Sequence, residues 1–127
     1  MTSRLTEVIV DCTELEVMAD FWCAALDYAR VNAGEGWLAI GRPDDDNSDA
    51  PRLAFVVVPE PRSGKNRVHI DVTPDGATQA EEVERLIGLG ARPVDIGQGS
   101  TPWVVMADPE NNEFCVMPGT ESDESDG

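Results

Sequence analysis

Two stretches of the chain follow one plan, and that duplication limits what it can fold into. The first runs from Glu7 to Pro59 and the second from His69 to Pro118. Glu7-Val-Ile-Val-Asp-Cys12 opens one copy and leads into a helical pattern over residues 14–26; His69-Ile-Asp-Val-Thr73 opens the other and leads into a helical pattern over 77–89. Each copy then carries a Trp followed by small and aliphatic residues, Trp37-Leu-Ala-Ile-Gly41 and Trp103-Val-Val-Met-Ala107. Each closes on an apolar run that stops at proline, Leu53 to Pro59 and Glu113 to Pro118. Two half-domains with one pattern imply a pseudo-twofold axis and a cleft near it.

The order within each copy is strand, helix and three strands. Thr6 to Cys12 is β-branched and predicts a strand. Alternate residues of a strand share a face, so Glu7, Ile9 and Asp11 point one way and Val8, Val10 and Cys12 the other. Thr13 is the expected cap of the first helix, with Glu16 as its reciprocal partner. Leu15, Met18, Ala19, Trp22 and Leu26 recur at helical spacing and form its buried stripe. Strands are expected over 27–33, 37–41 and 52–58, with a turn at Gly34-Glu-Gly36 and a loop over 42–51. In the second copy strands are expected over 67–72, 92–96, 103–107 and 113–117. There Arg67, His69 and Asp71 share one face, and Val68, Ile70 and Val72 the other. Thr78 is placed to cap a helix carrying Ala80, Val83, Leu86, Ile87 and Leu89, and Gly90 to end it. The expected fold class is α+β: two βαβββ modules, over 4–59 and 67–118, forming a curved mixed sheet with a concave cleft and helices outside. Together they make one domain over 1–118, followed by a disordered acidic tail over 119–127.

Composition narrows the function classes. At 127 residues the chain holds one domain with a real core. No apolar run nears the roughly 18 residues of a spanning helix, and the first residues lack the apolar stretch of a signal peptide, so the expected location is cytoplasmic. Nine basic residues face twenty-five acidic ones, for a formal net charge of −16. Such a surface repels phosphate backbones and anionic membranes, so neither nucleic acid nor membrane is an expected partner. Asp44, Asp45, Asp46 and Asp49 crowd one loop, and Glu121, Asp123, Glu124 and Asp126 crowd the tail. Two readings of the acidity stand: solubility, or attraction of a cationic ligand. Cys12, Cys23 and Cys115 are odd in number and lack CxxC spacing, which argues against a disulfide framework or a zinc knuckle. There is no glycine-rich phosphate loop and no nucleophile elbow.

Four segments carry a resemblance: Ala19-Asp-Phe-Trp22, Arg67-Val-His-Ile-Asp71, Leu86-Ile-Gly-Leu-Gly-Ala91 and Ala107-Asp-Pro-Glu-Asn-Asn-Glu-Phe-Cys115. With them the chain, over about residues 4–118, resembles the glyoxalase/bleomycin-resistance/dioxygenase group, the vicinal oxygen chelate superfamily. The resemblance implies paired βαβββ modules around a concave sheet and, commonly, a homodimer. It does not imply one chemistry, because such folds host lyases, isomerases, dioxygenases, antibiotic-modifying enzymes and metal-free drug binders.

Family enzymes hold a divalent metal with residues from the first and last strands of each module. Carried over by spacing, the resemblance puts Glu7, Val56, His69 and Cys115 at those positions. Val56 has no donor atom, so the expected metal set is Glu7, His69 and Cys115. A thiolate suits Zn²⁺, Fe²⁺ or Ni²⁺ better than Mg²⁺ or Mn²⁺. Glu113 lies on the face of Cys115, about 6–7 Å along the strand, as substitute ligand or general base. The other reading is a member that has lost its metal, with His69 a pocket histidine and Cys115 a filler. Trp37, Arg67, Asp71 and Trp103 then line a pocket for a small organic molecule, and aromatic rings beside carboxylates suit a cation. A sequestering protein for a drug or metabolite is the leading expectation. A metal-dependent lyase, isomerase or dioxygenase, with Zn, Fe, Ni or Mn, is the alternative.

Overall fold

The computed structural model describes residues 2–43, 50–61, 63–64, 66–95, 97 and 99–119. The chain divides into two compact units, Met1–Arg62 and Ser63–Gly127, and the βαβββ order appears once in each. Residues 120–127 of the tail and 44–49 of the Asp-rich loop lie outside the described residues.

The first unit contains β1 (Glu7–Cys12), α1 (Leu15–Leu26), β2 (Ala29–Gly34), β3 (Trp37–Gly41) and β4 (Arg52–Val57). Its four strands lie in the order β1-β4-β3-β2. β1 runs parallel to β4, and the other pairs are antiparallel. A parallel neighbour requires a crossover, which α1 supplies. Val8, Leu53, Ile40 and Arg30 align in one row across the four strands. Arg30 reaches Glu16 at 2.8 Å and Asp20 at 2.7 Å, both on α1, so this row marks the helix-facing side. Phe55, Leu38 and Cys12 belong to the same face and are buried, as are Met18, Ala19, Phe21 and Trp22 of α1. Phe21 and Trp22 meet edge to face at 5.1 Å between ring centroids, a geometry that ring quadrupoles favour.

The second unit contains β5 (Ile70–Val72), α2 (Gln79–Leu89), β6 (Arg92–Pro93), β7 (Val104–Ala107) and β8 (Glu113–Val116). Its order, β5-β8-β7-β6, repeats that of the first sheet, again with the first and last strands parallel. Ile70, Phe114, Met106 and Pro93 form one cross-strand row, and Val72, Val116 and Val104 another on the same face. Phe114, Met106 and Val116 are buried, and Leu86 is the buried residue of α2. Thr78 caps α2 through a full capping box with Glu81: Glu81 N donates to Thr78 Oγ1 at 3.1 Å, and Thr78 N to Glu81 Oε1 at 2.9 Å. Gly90 follows at φ 121°.

Several local expectations are corrected. Thr13 is not the cap of α1; Glu14 holds that position without a side-chain cap bond. β5 starts at Ile70, so Arg67 and His69 precede the strand instead of sharing its pleat with Asp71. β6 is two residues long, with one further backbone bond beyond it from Val94 N to Val105 O at 3.0 Å. The apolar stripe of α2 is narrower than its periodicity implies, with Ile87 and Leu89 exposed. The expected α+β class holds, with two βαβββ modules, each of one helix and one four-stranded mixed sheet.

Candidate functional site

In the first unit, the face turned away from α1 carries Glu7, Ile9 and Asp11 on β1, with Arg52, Ala54 and Val56 beside them on β4. Trp37 and Ala39 continue it on β3, and Gly34 on β2. Asp11, Val56, Trp37 and Gly34 fall in one register line across all four strands. Trp37 is half-buried, while Ile9 and Asp11 are exposed. The indole of Trp37 lies over the backbone of Gly34: a methyl there would run into its Nε1 and sit 2.7 Å from Cε2. Arg52 lays its side chain over Gly41 in the same manner, with Cγ 3.1 Å from where a Cβ would be.

In the second unit, Asp71, Cys115 and Val105 align in one row, and Glu113, Ala107 and Arg92 in the next row of the same face. Cys115 is buried, and three things push its thiol up from the ordinary value: burial first, then the nearby charge of Asp71, then the hydrogen bond that the thiol makes with that carboxylate. All three act against the thiolate. Cys115 therefore stands at neutral pH as a protonated thiol, whereas a metal ligand would have to give up that proton.

His69 is exposed on the approach to β5. Its Nε2 lies 3.2 Å from the carbonyl oxygen of Asn66. Asn66 in turn donates its backbone N–H to Glu113 Oε1 at 3.3 Å and its side-chain amide to Asn112 Oδ1 at 3.2 Å. Asn112 donates its amide to both carboxylate oxygens of Asp108, at 3.2 and 3.1 Å. Asp108 is buried, and its Oδ1 also accepts from the backbone N–H groups of Glu110 and Asn112. A buried charge needs such donors. The turn is closed by Asp108 N to Asn112 O at 2.9 Å, with Asn111 at φ 72°, and Arg92 bonds Asn111 Oδ1.

The site residues expected from sequence are thus distributed as follows. Asp71, Cys115 and Glu113 share one face of the second sheet, and His69 is tied to Glu113 through Asn66. Arg67 is exposed two residues before His69, and Trp103 is exposed ahead of β7. Glu7 and Trp37 belong to the first unit. Within each unit, the described residues bring together no group of three or more His, Cys, Asp or Glu that could hold a metal ion. Sequence reasoning missed Asn66, Asn112 and the buried Asp108. The last two fall in the Asp-Pro-Glu-Asn-Asn segment, which entered only through the resemblance.

A glyoxalase-like domain family model matches residues 7–117. The chain belongs to this family. Its solved neighbours share the glyoxalase/bleomycin-resistance/dioxygenase fold at low identity. The fosfomycin resistance protein FosX from Mesorhizobium loti is 19% identical, with a TM-score of 0.69 and both chains covered completely. A glyoxalase/bleomycin resistance protein/dioxygenase family enzyme from Burkholderia phytofirmans PsJN is 16% identical, with a TM-score of 0.63 over 94% of this chain and 100% of that one. A genomically encoded fosfomycin resistance protein from Listeria monocytogenes, complexed with Mn(II) and 1S,2S-dihydroxypropylphosphonic acid, is 15% identical, with a TM-score of 0.67 over 96% of this chain and 94% of that one. No curated protein matches the chain. No helix among the described residues is long and apolar enough to cross a membrane.

Proposed function

We propose that this glyoxalase-like protein binds a small organic molecule on its sheet faces without metal chemistry, as a sequestering protein for a drug or metabolite. The observation that carries this reading is the state of Cys115. The thiol is buried beside Asp71, its register partner, and both favour the protonated form, so a cation would have to displace that proton. Val56 supports it from the first unit, since the residue there is hydrocarbon. His69 is exposed, and its Nε2 already has a partner in the Asn66 carbonyl. Trp37, Arg67, Asp71 and Trp103 supply apolar area and charges for orienting a ligand. The protein would act as a soluble cytoplasmic homodimer.

A second reading is favoured by the Mn(II) complex of the Listeria neighbour. In it, the ligand set expected from sequence would hold Zn, Fe, Ni or Mn, and Glu113 would serve as base in a lyase, isomerase or dioxygenase. Elemental mass spectrometry of protein purified without chelators or a His-tag separates the two. We expect far less than one metal per chain, and no uptake of Zn²⁺, Ni²⁺, Fe²⁺ or Mn²⁺ at micromolar concentration. Near-stoichiometric metal, lost in His69→Ala, would overturn the metal-free reading.

A further inference from the structure

We infer that Asn66 is a positioning residue that holds the His69 imidazole in its Nε2–H tautomer, so that Nδ1 is the atom the ring offers to a ligand. This rests on the small-molecule reading above and gives the ligand one required feature, an O–H or N–H group that donates to Nδ1. The contact itself sets the tautomer. His69 Nε2 lies 3.2 Å from the Asn66 carbonyl oxygen. A carbonyl oxygen only accepts, so the bond exists only when Nε2 carries a proton. The lone pair of the neutral ring is then on Nδ1. His69 is exposed, and its Nδ1 makes no hydrogen bond with any described residue.

Asn66 is able to set the ring because its own bonds are fixed from the buried Asp108. A carboxylate only accepts, so Asn112 turns its amide nitrogen toward Asp108, at 3.2 and 3.1 Å from the two oxygens. Its Oδ1 then accepts from the Asn66 side-chain amide at 3.2 Å. The backbone N–H of Asn66 donates to Glu113 Oε1 at 3.3 Å. Side chain and N–H are thus both committed to β8 and the turn before it, and the carbonyl meets the imidazole. The direction of donation along this chain follows from Asp108 at every step. The chain starts at a side chain that is 2% exposed and ends at an exposed ring, so a packed turn governs a surface group. Extended one step before Ile70 and Phe114, the parallel register of β5 and β8 sets His69 opposite Glu113. Asn66 bonds both of them.

The chain has one histidine, so a long-range proton–nitrogen correlation spectrum of the untagged full-length protein reports a single pair of ring nitrogens. It would be recorded at about pH 8, where imidazoles are neutral and phenols keep their proton. We expect well-separated signals, with Nδ1 of the pyridine type and Nε2 of the pyrrole type. Asn66→Ala and Asn112→Ala loosen the tie and should move the tautomer ratio toward Nδ1–H by about two- to fivefold, drawing the two signals together. Glu113→Ala should do the same, whereas Glu113→Gln keeps an oxygen acceptor and should keep the wild-type spectrum. Phenol and anisole share a ring and differ in the O–H, so phenol should move Nδ1 and anisole should not. Averaged or reversed wild-type signals would overturn the tautomer. Variants that lose stability while their ring nitrogens stay at wild-type positions would show that Asn66 only braces the turn. Phenol that leaves Nδ1 unmoved, or moves it no more than anisole does, would overturn its role toward a ligand. The wild-type spectrum and the phenol titration stand if a variant fails to fold. Zn²⁺ added to the same sample tells these failures from failure of the metal-free reading. A stoichiometric shift of either ring nitrogen removes that reading, while averaged signals that Zn²⁺ does not move strike the Asn66 tie alone.

Discussion

Cys115 shows how a neighbour decides the chemistry of a residue. Its sequence position suggests a thiolate ligand, but Asp71, its register partner on β5, takes its proton as a hydrogen bond. Because the folded value is raised, the native state keeps its proton at pH values where the unfolded thiol, near the ordinary ~8.5, has lost it. The stabilising contribution is therefore complete below that pH and is lost as pH rises toward the folded value. Iodoacetamide should label Cys115 slowly at pH 7.5, and Asp71→Asn should speed labelling by removing the charge. Equal rates in the two proteins, followed by peptide mass spectrometry, would contradict the assignment. Asp108 makes a second case at this scale. Replacing it with Asn keeps the shape but removes the charge that four donor contacts share. Loss of charge-assisted bonds at a buried position costs about 1.5–3 kcal/mol, readable by urea denaturation. Residue types at strand positions were legible in the sequence, which is why Asp71, Cys115 and Glu113 were expected on one face. Asn66 was not, because it acts from a connecting segment whose path no periodicity predicts.

Elements were legible where two local signals agreed. α2 has a capping residue, a partner three positions on and a glycine stop, and it runs from Gln79 to Leu89 as that pattern implies. α1 shows the opposite outcome at its start. Thr13 and Glu16 satisfy the same sequence signature, yet the helix begins one residue later and Glu14 takes the cap. The strand pairing decides this, since Cys12 O accepts from Val58 N and fixes where β1 ends. β5 and β6 came out short because alternation reports a face, not the presence of a hydrogen-bonded partner. His69 and Arg67 alternate with Asp71, but only Ile70 to Val72 pair with β8. The capping box gives a quantitative test. Thr78→Ala leaves the Glu81 N–H without its acceptor and should cost about 1 kcal/mol, lowering the melting midpoint by roughly 3–6 °C. A change within error would mean that α2 is held by packing alone. The hairpin joining β2 and β3 gives a structural test. Gly34→Ala should move the Trp37 indole off its strand, visible as a shifted indole N–H resonance with the rest of the spectrum largely kept.

At the scale of the whole molecule, the repeated plan is what the sequence stated most clearly, and two sheets of one strand order are its consequence. Charge is the property that no single element explains. Twenty-five acidic residues against nine basic ones leave a chain that repels itself, and self-repulsion penalises the compact state. Salt shortens the reach of that repulsion, from a Debye length of about 10 Å at 0.1 M to about 3 Å at 1 M. Added NaCl should therefore raise the thermal midpoint, most steeply at low concentration. The same screening weakens attraction between the protein and a cation, so affinity for a cationic small molecule should fall over the same range while that for a neutral analogue changes little. Stability and cation binding would thus move in opposite directions from one cause. A midpoint that is flat or falls with NaCl would show that the acidic residues are spaced widely enough to cost the fold nothing. A cation's affinity that follows that of its neutral analogue through the series would show that charge plays no part in recognition. Measuring both in one salt series separates an acidity that only keeps the protein in solution from one that also selects its ligand.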